Sequence, residues 1–232
     1  EINGQSVIEM GYDKAYSMLR AENGTPLTIT LRAGGEDRTV DLSTVQMTVA
    51  SVKTDNFDGY GYIKVYEFSE KTYQQFMAAY SMLLSSADTK GLIIDLRNNS
   101  GMIFEPVFNL LNSILPQGST PYISTALSGE ETSADSASGN YNTKRPITVL
   151  VNSRTKGPAE LLAASLADNC GARIIGSQTA GNAQLRETYA LYDNTAISLP
   201  IATLKAPQTQ FSGTGIKPQY EVIMLADTEA DL

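Results

Sequence analysis

The alternation of strand and helix patterns over residues 46–232 predicts an α/β domain with a mainly parallel sheet and a C-terminal hairpin. Two near-continuous apolar runs point the same way, Gly91–Leu96 (GLIIDL) and Ile147–Val151 (ITVLV). Such runs fit strands buried on both faces, as parallel strands usually are. A third observation sets residues 1–45 apart. Their short alternating strands and single amphipathic helix predict a separate small α+β segment.

In that segment the expected order is strand, helix, strand, strand. Asn3-Gly4 is a turn signal. Tyr12 to Glu22 carries Tyr12, Ala15, Tyr16 and Leu19 at helical spacing, and Asn23-Gly24 closes the helix. Leu27–Leu31 alternates with period two, Gly34-Gly35 turns, and Thr39–Leu42 follows.

In the larger domain, Gly61–Tyr66 reads as a strand. Lys71–Leu84 reads as a helix with Phe76, Ala79, Tyr80 and Leu83 on one face. Helices are also expected over Glu105–Leu115 and Pro158–Ala167, and a strand over Ala172–Gly176. Leu185–Leu191 and Ala196–Leu204, joined at Asp193-Asn194, form the predicted hairpin. Leu127–Asn142 is a long polar loop, and Tyr62, Tyr66 and Tyr80 are read as core. Gly176–Gly181 bears glycines but lacks the Lys-Ser/Thr of a phosphate-binding loop.

Composition narrows the function. The chain is 42% hydrophobic and 18% charged, as an ordinary globular protein is. Its net charge of -8 argues against a nucleic-acid surface. It has no His, which excludes Ser-His-Asp and Cys-His catalysis and any His-ligated metal. The carboxylates have no metal-loop spacing, so neither metal nor other cofactor is expected. The single Cys170 cannot form an internal disulfide and reads as a buried structural thiol. No apolar run is long enough for a membrane span. No signal peptide is visible, and the opening Glu1-Ile2-Asn3-Gly4 reads like the middle of a domain, with more chain expected upstream.

The stretch from Val149 to Leu162 (VLVNSRTKGPAELL) carries the most chemistry. A buried strand ends at Asn152, a polar turn follows, and an apolar helix opens near Gly157. Many α/β hydrolases place a nucleophile at such a strand-to-helix turn. Here the helix start has Gly157, with no side chain, and Pro158, with no backbone N–H.

Four segments in order resemble the C-terminal processing (tail-specific) proteases, serine peptidases with a Ser–Lys dyad and an inserted PDZ domain. They are Gly91–Gly101 (GLIIDLRNNSG), Val149–Asn152 with its downstream helix, Gly176–Asn182 (GSQTAGN) and Gly215–Pro218 (GIKP). Residues 1–45 resemble the second half of a PDZ domain. The likeness therefore implies two parts, 1–45 PDZ-like and 46–232 a protease-like core.

The resemblance also implies roles. The nucleophilic Ser matches Gly157, the Lys base matches Asn182, and the Gln that helps position that Lys matches Arg186. An amide cannot accept a proton near neutral pH. The oxyanion hole would use the N–H of Gly101, expected to be free, and that of position 158, which Pro158 lacks. These losses imply an inactive homologue that keeps a cleft for a polypeptide or protein partner. It would lie outside the cytoplasm, touching a membrane only through an upstream anchor. Two alternatives stay open. One is an active peptidase using displaced residues, Ser153, Thr155 and Lys156, all in the turn. The other is a structural interaction module. Asp95 and Arg97 read as a structural ion pair. Glu160 reads as an acid suited to the helix dipole that could also face the cleft.

Overall fold

The structure, a computed structural model, describes residues 1–45, 49–192 and 195–222. It divides into two compact units, Glu1–Val49 and Ala50–Leu232.

The first unit holds helices Val7–Met10 (α1) and Tyr12–Leu19 (α2) and an antiparallel hairpin of Pro26–Ala33 (β1) with Glu36–Ser43 (β2). The expected first strand shrinks to single bridges from Ile2 to Gln5 and to Ile29. The helical turn α1 was not expected, because four residues are too few to show a period. The core here is small: Ile2, Ala15 and Leu27, flanked by Met10 and Met18. Of the helix stripe read from the sequence only Ala15 is buried. Tyr12, Tyr16 and Leu19 are exposed, and the two tyrosine rings stack on each other at 5.6 Å. A unit this short has too little apolar mass to cover every face of its elements.

The second unit opens with the antiparallel pair Val52–Phe57 (β3) and Tyr60–Val65 (β4), then the helix Thr72–Ser85 (α3). Gly91–Asp95 (β5) and the helix Glu105–Ile114 (α4) follow. Ile123–Ala126 (β6), Glu131–Ser133 (β7) and Ile147–Val151 (β8) come next. The helix Pro158–Cys170 (α5) leads to Arg173–Gly176 (β9), Gln184–Ala190 (β10), Ala196–Lys205 (β11) and Tyr220–Glu221 (β12). The main sheet has the order β12-β9-β8-β5-β4-β3, and every pair except β3–β4 is parallel. The second sheet, β10-β11-β6-β7, is antiparallel. It contains the expected hairpin, whose turn residues Asp193 and Asn194 lie outside the described residues.

One correction concerns residues 127–142. Part of that stretch is strand β7, paired with β6. The sequence concealed it because Glu131, Thr132 and Ser133 are all exposed, so backbone pairing without apolar alternation forms the strand. The rest is pinned by Ala137 N–H to Ser119 O (2.9 Å) and Ser138 N–H to the Asn112 side chain (3.0 Å).

The helices pack on the sheet face that carries Ile63, Val65, Leu92, Ile94, Val149 and Val151, where the core lies. Gly61 belongs to this face. A Cβ there would fall 3.1 Å from Leu83 of α3 and 2.9 Å from Leu92, so glycine permits the close approach. The opposite face differs from expectation. By pleat alternation it carries Tyr62, Ile93, Leu150 and Ile175, all half-buried. Among the described residues, helices therefore pack on one face of these strands, not both. Tyr80 is core, as read; Tyr62 is half-buried and Tyr66 exposed, because their parity puts them on the open face.

Asp95 anchors the end of β5 from that face. It is fully buried and accepts hydrogen bonds from the Tyr62 hydroxyl (2.6 Å), Arg97 Nε (2.9 Å), Arg97 Nη2 (2.6 Å) and the Arg97 N–H (3.0 Å). Lys64 Nζ lies 4.0 Å away. The ion pair read from the sequence is therefore present, with Tyr62 added to it. Burial pushes the Asp95 carboxyl upward, but the hydrogen bonds from Arg97 and Tyr62 outweigh it and hold the group below the usual range. A depressed carboxylate stabilises the fold above its unfolded value of about 3.9, and that contribution fades as pH falls through the lower folded value. Asp95→Asn is expected to destabilise the protein by about 2–4 kcal/mol at pH 7. Urea unfolding of both proteins from pH 7 to pH 2 should show the gap constant down to about pH 4 and closing below it.

Candidate active site

Three turns at the carboxyl ends of β5, β8 and β9 meet here, and hydrogen bonds tie them. Asn98, with φ of 64°, and Asn152 form a reciprocal pair. The Asn98 N–H donates to Asn152 Oδ1 (3.0 Å), and Asn152 Nδ2 donates to Asn98 Oδ1 (2.8 Å). The Thr155 hydroxyl donates to Leu96 O (2.9 Å) and accepts from the Asn152 N–H (3.0 Å). The Lys156 N–H donates to Asn99 O (2.9 Å), and Asn99 Nδ2 donates to Val65 O (3.0 Å). The polar residues of both turns thus satisfy backbone groups that a strand end leaves unpaired.

Gly157 sits at the turn into α5 with φ 56° and ψ -114°. A side chain at this backbone is strained, and glycine takes it without penalty. There is nevertheless room. A Cβ would lie 3.5 Å from Gly101 O, 3.6 Å from Asn182 O and 3.7 Å from Phe104 Cζ. Gly101, Gly157 and Asn182, 81 residues apart at the extremes, therefore converge. Pro158 follows as the first helical residue, where its missing N–H is least disruptive.

The group that holds this arrangement is Glu160, in the first turn of α5 and fully buried. Oε2 accepts from the Gly157 N–H (3.0 Å) and the Asn182 N–H (2.8 Å). Oε1 accepts from the Gly181 N–H (2.6 Å) and the Thr179 hydroxyl. Four donors on two oxygens match the full capacity of a carboxylate. Thr179 is itself fixed, since its hydroxyl accepts from the Ile216 N–H (2.7 Å). The sequence placed Glu160 at a helix start. It gave no sign that residues 179–182 close on it, because that contact spans about twenty residues and needs the β9 turn.

The other residues singled out from sequence are scattered. The Asn182 side chain is half-buried; Nδ2 lies 3.9 Å from the Met102 sulfur, and Oδ1 accepts from the Gln184 N–H at 3.4 Å. Arg186 is exposed on β10 and bonds along the hairpin, to Ser198 O (2.6 Å) and Gln184 Oε1 (3.2 Å). The Gly101 N–H is not free as expected. It points at Asn99 Oδ1, 3.4 Å away, a long and weak bond. Thr155 is another correction: its hydroxyl is buried and engaged, so it is a brace and not an accessible turn residue. Ser153 and Lys156 are exposed. Cys170, at the far end of α5, is half-buried, and burial pushes its thiol up to about 11. Among the described residues no three of Cys, Asp and Glu are grouped as metal ligands would be, and no helix is long and apolar enough to cross a membrane.

The model of peptidase family S41 matches residues 59–222. The chain belongs to this family. A carboxy-terminal-processing protease of Bartonella bacilliformis is 28% identical over 228 residues, which are 96% of this chain and 52% of that protein. The carboxy-terminal processing protease CtpA of Bacillus subtilis is 28% identical over 226 residues, 95% of this chain and 48% of that one. The chain thus spans about half the length of these curated relatives. Among solved structures, a photosystem II D1 C-terminal processing protease superposes with a TM-score of 0.67 at 22% identity, over 96% of this chain and 62% of that one. It shares the fold.

Two substitutions probe the arrangement. Glu160→Gln turns one acceptor into an NH2 facing backbone donors; it should destabilise the protein by about 2–4 kcal/mol, read as a lower urea midpoint at unchanged slope. Gly157→Ala meets space but an unsuitable φ. It should stay folded and lose about 1–3 kcal/mol, seen as a fall of several degrees in melting temperature.

Proposed function

We propose that this S41 family member is non-catalytic and that its cleft holds an extended polypeptide or a protein partner. The single observation carrying this reading is the glycine at the elbow. At the point where the Gly101 carbonyl, the Asn182 backbone and Phe104 converge, residue 157 has no side chain to attack a carbonyl. The spacing agrees with the family likeness, in which Gly157 and Asn182 stand for the Ser and the Lys. Asn182 supplies an amide where a base would be needed, and Pro158 has no N–H for an oxyanion. The burial of Thr155 supports the same reading, because it withdraws one of the three displaced residues that could stand in. Recognition by main-chain hydrogen bonds needs no nucleophile and suits a cleft formed by turns at strand ends. In the same reading, residues 1–45 are the latter part of a PDZ-like domain and the protein works outside the cytoplasm.

The protein should not hydrolyse casein above a buffer control, and a fluorophosphonate should not label it. Hydrolysis that disappears on Ser153→Ala would overturn the reading and favour the displaced-residue peptidase. Restoring Gly157→Ser with Asn182→Lys should give at most weak hydrolysis. Adding Pro158→Ala should raise the rate by roughly 100-fold, the worth of one oxyanion donor. Equal rates for the double and triple variants would remove position 158 from the account.

A further inference from the structure

We propose that the Gly157 elbow receives a primary ammonium group, carried by a lysine side chain or by the chain start of the polypeptide held in the cleft. This rests on the reading of the cleft as a polypeptide site and names the chemistry that the site selects. The starting point is polarity. An acyl-transfer site aims hydrogen-bond donors at the reacting carbonyl. Here those donors are turned away. The Gly157 N–H donates to Glu160 Oε2 (3.0 Å), the Gly101 N–H faces Asn99 Oδ1 (3.4 Å), and Pro158 has no N–H. What borders the bare Cα of Gly157 is acceptors. Apart from its chain neighbours, the two atoms nearest to the position of a Cβ are Gly101 O (3.5 Å) and Asn182 O (3.6 Å), with Phe104 Cζ as an apolar wall at 3.7 Å. Neither oxygen accepts a hydrogen bond from a described residue. The Asn182 side chain does not serve them, since Nδ2 turns to the Met102 sulfur (3.9 Å) and Oδ1 takes the Gln184 N–H (3.4 Å). Gly157 is buried and Gly101 and Asn182 are half-buried, so a donor brought to these oxygens meets acceptors only partly served by water.

Charge selects an ammonium over a neutral donor. The Glu160 carboxylate lies directly behind the elbow, and its four partners are three backbone N–H groups and a hydroxyl, none of them a cation. The positive end of α5 amounts to about half a charge, so the carboxylate outweighs it. The cations of the same turn, Arg154 and Lys156, are exposed, and neither donates to Gly101 O or Asn182 O. A backbone amide brings one donor and no charge, whereas an ammonium brings three donors on one small atom. Glycine lets such a group come close to the backbone. Two carbonyl oxygens are too few to replace the oxygen shell of a metal cation. In the family likeness an amine belongs at position 182; here the partner would bring it.

The test is an NMR titration of the amides of Gly101, Gly157 and Asn182 with three short alanine peptides. One has a central lysine and blocked ends, one has a free amino end and no lysine, and the control has blocked ends and norleucine in place of lysine. At least one ammonium peptide should shift these amides saturably, and the norleucine peptide should bind about ten-fold more weakly or worse. Tighter binding of the lysine peptide assigns the site to a side chain; tighter binding of the free-ended peptide assigns it to a chain start. Gly157→Ala puts a methyl group in the path and should abolish the shifts. Asn182→Lys supplies an amine from within the chain and should weaken binding by about ten-fold or more. The remaining amide spectrum of each variant reports that it is folded. No shift with either ammonium peptide, equal binding of the norleucine peptide, or indifference to both variants overturns the proposal. So do the same shifts produced by potassium chloride alone, which would make the elbow a metal-cation site. Equal binding of the norleucine peptide would leave the cleft a polypeptide site and remove only the ammonium. Casein hydrolysis would remove the non-catalytic reading and leave this titration interpretable.

Discussion

The Glu160 carboxylate is the interaction on which the site depends. Its two oxygens receive donors from two turns: the Gly157 N–H from the elbow, and the Thr179, Gly181 and Asn182 donors from the turn after β9. Removing a carboxylate from water is costly, and here it is compensated by four hydrogen bonds and by the positive end of α5. The consequence is geometric. Residues 157 and 182 are fixed relative to each other by main-chain atoms, independently of what their side chains are. A site held this way keeps its shape when its reactive groups are exchanged.

A second set of bonds fixes the remaining wall. The Asn98–Asn152 pair and Thr155 join the ends of β5 and β8, so the Gly101 turn and the Gly157 elbow cannot drift apart without breaking these hydrogen bonds, of which that of Thr155 is buried. The Thr179–Ile216 bond extends the network to the segment before β12. The chain thus combines membership of peptidase family S41 with a glycine elbow braced by backbone and side-chain hydrogen bonds. The inference that it binds without cutting follows from which side chains the frame presents.

Much of the fold was legible because the main sheet is built from short apolar runs between amphipathic helices. Gly91–Leu96 and Ile147–Val151 declared their strands, and Pro158 declared a helix start. Strands without apolar alternation were not legible: β7 is exposed throughout and forms by backbone pairing alone. Uniform apolar runs also misled, since Ile93 and Leu150 look the same as Ile94 and Val149 although they face the open side. The nearness of positions 101, 157 and 182 followed from motif order. The partners of Glu160 and the occupied N–H of Gly101 did not, because each depends on a turn whose path the sequence does not encode locally.

The proposal rests on Gly157 and Asn182 standing where a Ser and a Lys would stand in a frame that holds its shape. A crystal structure of the Gly157→Ser, Asn182→Lys double variant tests it most directly. The account predicts an unshifted backbone at residues 101, 157 and 182, with the introduced hydroxyl oxygen and side-chain nitrogen within hydrogen-bond reach, about 2.6–3.2 Å. A separation well beyond that distance, with the rest of the fold intact, would contradict it.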